Sequence, residues 1–208
     1  MSWEVMQFVE TQVKITARHA TISGLLARPD TDKPPGVLYL SGSGPSLRWK
    51  VVDAAAHSLA SAGFAFLRFN YPAHEEGAAA GSDFQLDVDC AKSALDLLAQ
   101  HCDPKRIGVV GKSYGARVAV ELVPDERVRS LVLWAPAIRP EEGFRFRKPA
   151  RIVHGTIDAV VPPQNSQELF KNIPGEKSLE IIPRADHGFA GKEHECARAT
   201  RDWFEKWL

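Results

Sequence analysis

Cysteine is scarce and irregularly spaced in this chain. Only Cys90, Cys102 and Cys196 occur; an odd number without a CxxC pair offers neither a disulfide framework nor a zinc knuckle. They read as free thiols, which suit a reducing, cytoplasmic compartment. Surplus charge is absent as well: 26 Lys and Arg balance 26 Asp and Glu. A zero formal charge removes the bulk electrostatic case for nucleic acid or an anionic membrane surface as partner. No apolar run approaches the roughly 18 residues that a membrane span requires. Met1-Ser2-Trp3-Glu4-Val5 has no basic segment leading into an apolar one, so no signal peptide is expected. Internal repeats, low-complexity segments and domain linkers are missing. No histidine–carboxylate cluster has metal-ligand spacing, so no metal and no organic cofactor are expected. Oligomeric state leaves no mark in the sequence.

What remains is an ordinary globular balance, 44% apolar and 25% charged over 208 residues, long enough for one domain, 1–208, with a full core. Val5–Ala17 and Ala20–Ala27 alternate loosely and read as two antiparallel strands, with Val9, Thr11, Val13 and Ile15 of the first on one face. Val37–Leu40 is a continuous apolar run, as expected of a strand buried on both faces. Helical spacing follows at Lys50–Ala62, a strand at Phe64–Asn70, and a loop over Tyr71–Gly81. Ser82-x-x-Gln85 has the pattern of a capping box, opening a helix that ends near His101. Further strands are expected at the apolar runs ending in Gly111, Trp134, His154 and Ile182. Helices are expected after Pro162-Pro163, through Asn172, and over Gly191–Leu208. Alternating strands and helices mean an α/β fold with a mainly parallel sheet, whose sites lie at the carboxyl ends of the strands.

One stretch concentrates the chemistry. The run Ile107–Val110 ends in Gly111-Lys112-Ser113-Tyr114-Gly115 and passes into helix-like Ala116–Val120. Strand, sharp turn and helix around Gly-x-Ser-x-Gly form a nucleophile elbow. The bare pattern is cheap, and the flanking elements give it weight. Ser113 is at the tip, and the Tyr114 N–H beside it is half of an expected oxyanion hole. The other half is expected from Ser41-Gly42-Ser43-Gly44, which follows the Val37–Leu40 strand directly. The N–H of Ser43 is the candidate donor, with Gly42 and Gly44 letting a substrate approach the backbone.

A serine needs a base with a pKa near operating pH, which selects histidine, and the histidine needs a carboxylate to fix its tautomer. Of seven histidines, His187 follows the last strand, at the required sheet edge. His154 ends a strand before Gly155 and reads as a packed, hydrogen-bonded core residue. His74, on the loop after a central strand, is a candidate for lining the substrate pocket. Asp158 follows the strand ending at His154, whereas Asp186 adjoins His187 and would struggle to reach its own neighbour's ring. Arg48, Lys50 and Lys112 could receive an anionic group, though solvated surface charges are the plainer reading.

The order Ser113, Asp158, His187 is that of the α/β-hydrolase superfamily. From about residue 20 onward the chain resembles that superfamily, through Ser41-Gly42-Ser43-Gly44, Gly111-Lys112-Ser113-Tyr114-Gly115, His154-Gly155-Thr156-Ile157-Asp158 and Asp186-His187-Gly188-Phe189. It looks most like the small, lidless, dienelactone hydrolase-like members. The resemblance implies a twisted, mainly parallel sheet of about eight strands, flanked by helices on both faces. It also implies a triad-based acyl transfer. Those relatives usually carry cysteine at the elbow, so Ser113 points to small ester or thioester substrates. Ser41-Gly42 replaces a common His-Gly in the oxyanion loop. Many relatives insert a helical cap where Ala135–Pro149 is too short for one, so no cap domain is expected. Thioesterase or acyltransferase chemistry on the same triad is the second enzyme reading. A non-catalytic interaction module that kept the fold is the alternative from another class.

Overall fold

The computed structural model describes residues 7–18, 20–139 and 147–208. Eight strands form one sheet: β1 (Phe8–Ala17), β2 (Ala20–Pro29), β3 (Gly36–Leu40), β4 (Ala65–Phe69), β5 (Ile107–Lys112), β6 (Val128–Trp134), β7 (Ala150–Gly155) and β8 (Lys177–Ile182). Their order across the sheet is β1-β2-β4-β3-β5-β6-β7-β8. β1 and β2 pair antiparallel, β2 pairs antiparallel with β4, and every later pairing is parallel.

The central strands are apolar on both sides because helices cover both faces. Successive side chains point oppositely, so Leu38 and Leu40 of β3 enter one core while Val37 and Tyr39 enter the other. The first core is closed by α3 (Phe84–His101), α4 (Tyr114–Leu122) and α5 (Pro163–Asn172), the second by α1 (Lys50–Ser61) and α6 (Glu193–Trp207). Burying each aliphatic side chain contributes roughly 1.5–3 kcal/mol.

Several local expectations shift. β1 overhangs the sheet edge, so Val9 is 66% exposed and only Ile15 and Ala17 of this strand are buried. Residues 5 and 6 of the expected first strand lie outside the described residues. The cap of α3 is Asp83, not Ser82: its carboxylate accepts the Leu86 N–H at 2.9 Å, and Gln85 reaches forward to Asp89. A short helix not expected from the sequence, α2 (Pro72–Glu75), interrupts the 71–81 loop, with proline at its start. Between β6 and β7 the described residues, 135–139 and 147–149, contain no helix. The rest of the expected cap-free connection, residues 140–146, lies outside the described residues. Among the described residues no helix is long and apolar enough to cross a membrane.

Candidate active site

Ser113 caps α4 at φ 50°, ψ −113°, a left-handed conformation that a non-glycine residue adopts only under constraint. Its N–H is held by the Trp134 carbonyl at 2.8 Å, and its own carbonyl accepts the N–H groups of Ala116 and Ala137, both at 3.1 Å. The helix then crosses β3 so closely that a Cβ on Gly115 would lie 2.3 Å from the Leu40 carbonyl oxygen and 2.4 Å from that of Ser41. A Cβ on Gly111 would lie 2.7 Å from both the Ala116 Cα and the Gly115 carbonyl oxygen. The two glycines are what this turn requires. Ser113 is 8% exposed. Tyr114, as the first helical residue, has an N–H with no acceptor inside the helix.

Residues 41–44, the expected oxyanion loop, follow β3. Gly42 is against the Ser113 turn: a Cβ there would lie 3.6 Å from the Ser113 Cβ. Gly44 has open space around it, and Ser43 is exposed. Ser41 anchors the loop by donating its hydroxyl to the Phe69 carbonyl at 2.8 Å. The Ser46 hydroxyl meets that of Tyr39 at 2.9 Å.

Asp158 and His187 come together from the loops after β7 and β8. His187 Nδ1 donates to Asp158 Oδ2 at 2.7 Å, which leaves the lone pair on Nε2, the ring edge away from the carboxylate. Asp158 Oδ1 accepts the N–H groups of Val160 and Val161, each at 2.8 Å. Burial alone would raise this carboxyl; the Val161 N–H, the imidazole and the Val160 N–H outweigh it and hold it below the ordinary range. His187 is pulled below its ordinary 6.5 by burial first and by the Lys112 charge next, against the opposing pull of Asp158. Asp186 is engaged elsewhere, accepting the Ala190 N–H at 2.9 Å.

Two residues play parts the sequence did not reveal. His154 is fully buried, as its packed reading requires, but it also touches Asp158. Its Nε2–H is shared between the Val161 carbonyl at 2.9 Å and Asp158 Oδ2 at 3.1 Å, while Nδ1 accepts the Ser166 hydroxyl at 2.6 Å. Asp158 thus receives two imidazoles on one oxygen. Lys112 is not a surface charge: it is 1% exposed, its ammonium makes no hydrogen bond among the described residues and lies 5.7 Å from the Phe189 ring centroid. Burial pulls it down to about 8, against the attraction of Asp158, Cys196 and Asp186. Its place follows from strand parity, since it points to the side of Val110, under α6. Arg48 and Lys50 are exposed, and Arg48 pairs with Glu10. His74 is buried and bonded to the Ser43 carbonyl at 2.9 Å.

Residues 34–205 match the alpha/beta hydrolase domain family. The chain belongs to that family. Among solved structures, dienelactone hydrolase from Anabaena variabilis is similar at 25% identity, with a TM-score of 0.82 over 97% of this chain and 99% of that one. A lidless α/β serine hydrolase from Xanthomonas campestris is similar at 21% identity and a TM-score of 0.77, covering 96% of this chain and 95% of that one. An esterase from Pyrococcus furiosus is similar at 18% identity and a TM-score of 0.77, covering 97% and 94%. A comparison with curated proteins gives no match. The α/β-hydrolase chain is therefore of the hydrolase fold, with esterase-like and dienelactone hydrolase-like structural neighbours.

Proposed function

We propose that this α/β-hydrolase, acting as a single domain over residues 1–208, cleaves carboxylic esters of small substrates through Ser113, His187 and Asp158. The observation that carries the reading is the His187–Asp158 bond of 2.7 Å, formed at the same carboxyl edge of the sheet as the strained Ser113 turn. His187 Nε2 takes the Ser113 hydroxyl proton as Oγ attacks the substrate carbonyl. The N–H groups of Ser43 and Tyr114 receive the oxyanion, with Gly42 and Gly44 leaving room for the substrate. The C–O bond to the leaving group breaks, and His187 returns the proton to the departing alkoxide. Water then attacks the acyl-serine with His187 again as base, releasing the acid and restoring the serine hydroxyl. Three unpaired, buried thiols fit a reducing compartment, and the proposed setting is the cytoplasm.

Hydrolysis of p-nitrophenyl esters of graded acyl length, run beside an acyl-CoA series, tests the reading. Serine-dependent turnover favouring short esters is expected. Ser113→Ala is expected to lower kcat by about 10⁶, the scale of removing such a serine. A preference for acyl-CoA would replace ester by thioester in the assignment. Unchanged turnover in Ser113→Ala, or no labelling of the wild type by a fluorophosphonate, would overturn it.

A further inference from the structure

The 71–81 segment is tied to both halves of the expected oxyanion hole. On one side, the Ser43 carbonyl accepts two donors from it: the Ala80 N–H at 2.8 Å and His74 Nε2–H at 2.9 Å. On the other side, Asp87 accepts the Gly81 N–H at 3.0 Å and the Tyr114 hydroxyl at 2.6 Å. Between the two anchors Tyr71 is fully buried, its ring edge-on to His74 at 5.6 Å and to Tyr114 at 5.9 Å between centroids.

This arrangement has a chemical consequence for Ser41-Gly42-Ser43-Gly44. A loop of small residues has little steric resistance to flipping a peptide plane. A carbonyl turned inward would place a partial negative charge where the reaction develops one. Two donors fix the Ser43 carbonyl and with it the 43–44 peptide plane; the Ser43 N–H belongs to the preceding plane and is steadied across the Ser43 Cα, whose ψ the two bonds restrict.

We infer that the 71–81 segment braces the oxyanion hole, with His74 as a positioning residue that holds the Ser43 carbonyl and, by limiting rotation at the Ser43 Cα, steadies the Ser43 N–H. The inference deepens the hydrolase reading and rests on it for the role of that N–H. In this role His74 acts through Ser43. Its neutral ring is favoured by burial, against the pull of the Ser43 carbonyl and of Asp87. Both protonation states keep the Nε2–H, so the brace itself does not titrate.

The test compares His74→Leu, His74→Gln and Ala80→Pro with wild type. Glutamine keeps a donor near the Nε2 position, whereas proline removes the second donor at a half-buried loop site. Losing an oxyanion donor outright lowers kcat about 10²–10³-fold, so a misaimed one in His74→Leu or Ala80→Pro is expected to lower it roughly 10–100-fold. KM for p-nitrophenyl acetate should change less than about threefold, and the pH profile should keep its shape. His74→Gln is expected to restore kcat to within about threefold. Amide hydrogen exchange across 41–49 should quicken in His74→Leu and Ala80→Pro and stay slow in His74→Gln. Wild-type exchange rates in His74→Leu and Ala80→Pro, or equal kcat in all four proteins, would overturn the brace. The exchange readout needs no turnover, so it decides the brace even where fluorophosphonate labelling has failed and the hydrolase reading with it.

Discussion

Replacing Lys112 by methionine should make the protein more stable at neutral pH. The ammonium is buried without a hydrogen-bond partner among the described residues, and burial lowers its pKa from 10.5 to about 8. The charged form is thus disfavoured in the folded chain relative to the unfolded one. The penalty is complete below about pH 8 and fades as pH rises towards 10.5, where both states lose the proton. At about 1.36 kcal/mol per pH unit, the fall from 10.5 to about 8 corresponds to about 3 kcal/mol at pH 7. Methionine fills a similar volume without the charge. A chain of this size gains about 2–4 °C per kcal/mol, so Lys112→Met should raise the unfolding midpoint by roughly 6–12 °C at pH 7. The gain should shrink as the two proteins are compared at increasing pH up to 10.5. Thermal unfolding followed by circular dichroism from pH 7 to 10.5 measures both effects. A lower midpoint at pH 7, or a difference that does not narrow with pH, would refute the reasoning.

The same substitution should alter the pH dependence of activity. His187 is held below 6.5 by burial and by the Lys112 charge, so the acid limb of kcat/KM should have its midpoint below pH 6.5 in the wild type and a higher one in Lys112→Met; coincident acid limbs would contradict this. Gly115→Ala places a methyl group 2.3 Å from the Leu40 carbonyl oxygen. Overpacking of this kind costs about 1–3 kcal/mol or more and should lower the urea midpoint clearly, while Gly44→Ala, with open space around it, should stay within about 0.5 kcal/mol of wild type. His154→Leu strips a buried donor from the Val161 carbonyl and a buried acceptor from the Ser166 hydroxyl. At about 1–3 kcal/mol for each group left unpaired, it should destabilise by roughly 2–6 kcal/mol in urea unfolding, and a loss below about 1 kcal/mol would show that both groups find other partners.

The fold was legible where burial is simplest. Val37–Leu40 and Ile107–Val110 are covered on both faces, so apolar continuity identified them, and the loops after β5, β7 and β8 were then positioned by the rule for parallel sheets. Local competition blurred the rest. Asp83 and Ser82 are both good caps, and only the chain's approach to α3 lets the aspartate reach the Leu86 N–H. Alternation marked β1 as a strand but could not say that it lies at the edge, where Val9 faces solvent. A lysine inside Gly-x-Ser-x-Gly reads as a surface charge until strand parity is followed: Lys112 shares the side of Val110, and α6 covers that side. The second imidazole on Asp158 depends on how residues 155–157 turn back on β7, which no spacing rule encodes. The Asp87–Tyr114 bond joins two helices far apart in the chain, and a tyrosine beside the elbow serine gives no hint of it.

The serine turn also bears on the order in which the chain can mature. Ser113 keeps its left-handed φ of 50° while its N–H is bonded to Trp134 at the end of β6, a strand made after the turn itself. Conformations of this kind persist only when their surroundings over-determine them. A chain folding from its N-terminus during synthesis would therefore carry a relaxed serine until β6 docks, and would lack His187, the proposed base, until the segment after β8 emerges. Under the proposed mechanism, an electrophile in the cell would meet an unreactive hydroxyl throughout translation, and acyl chemistry would switch on only as the last loop joins the sheet.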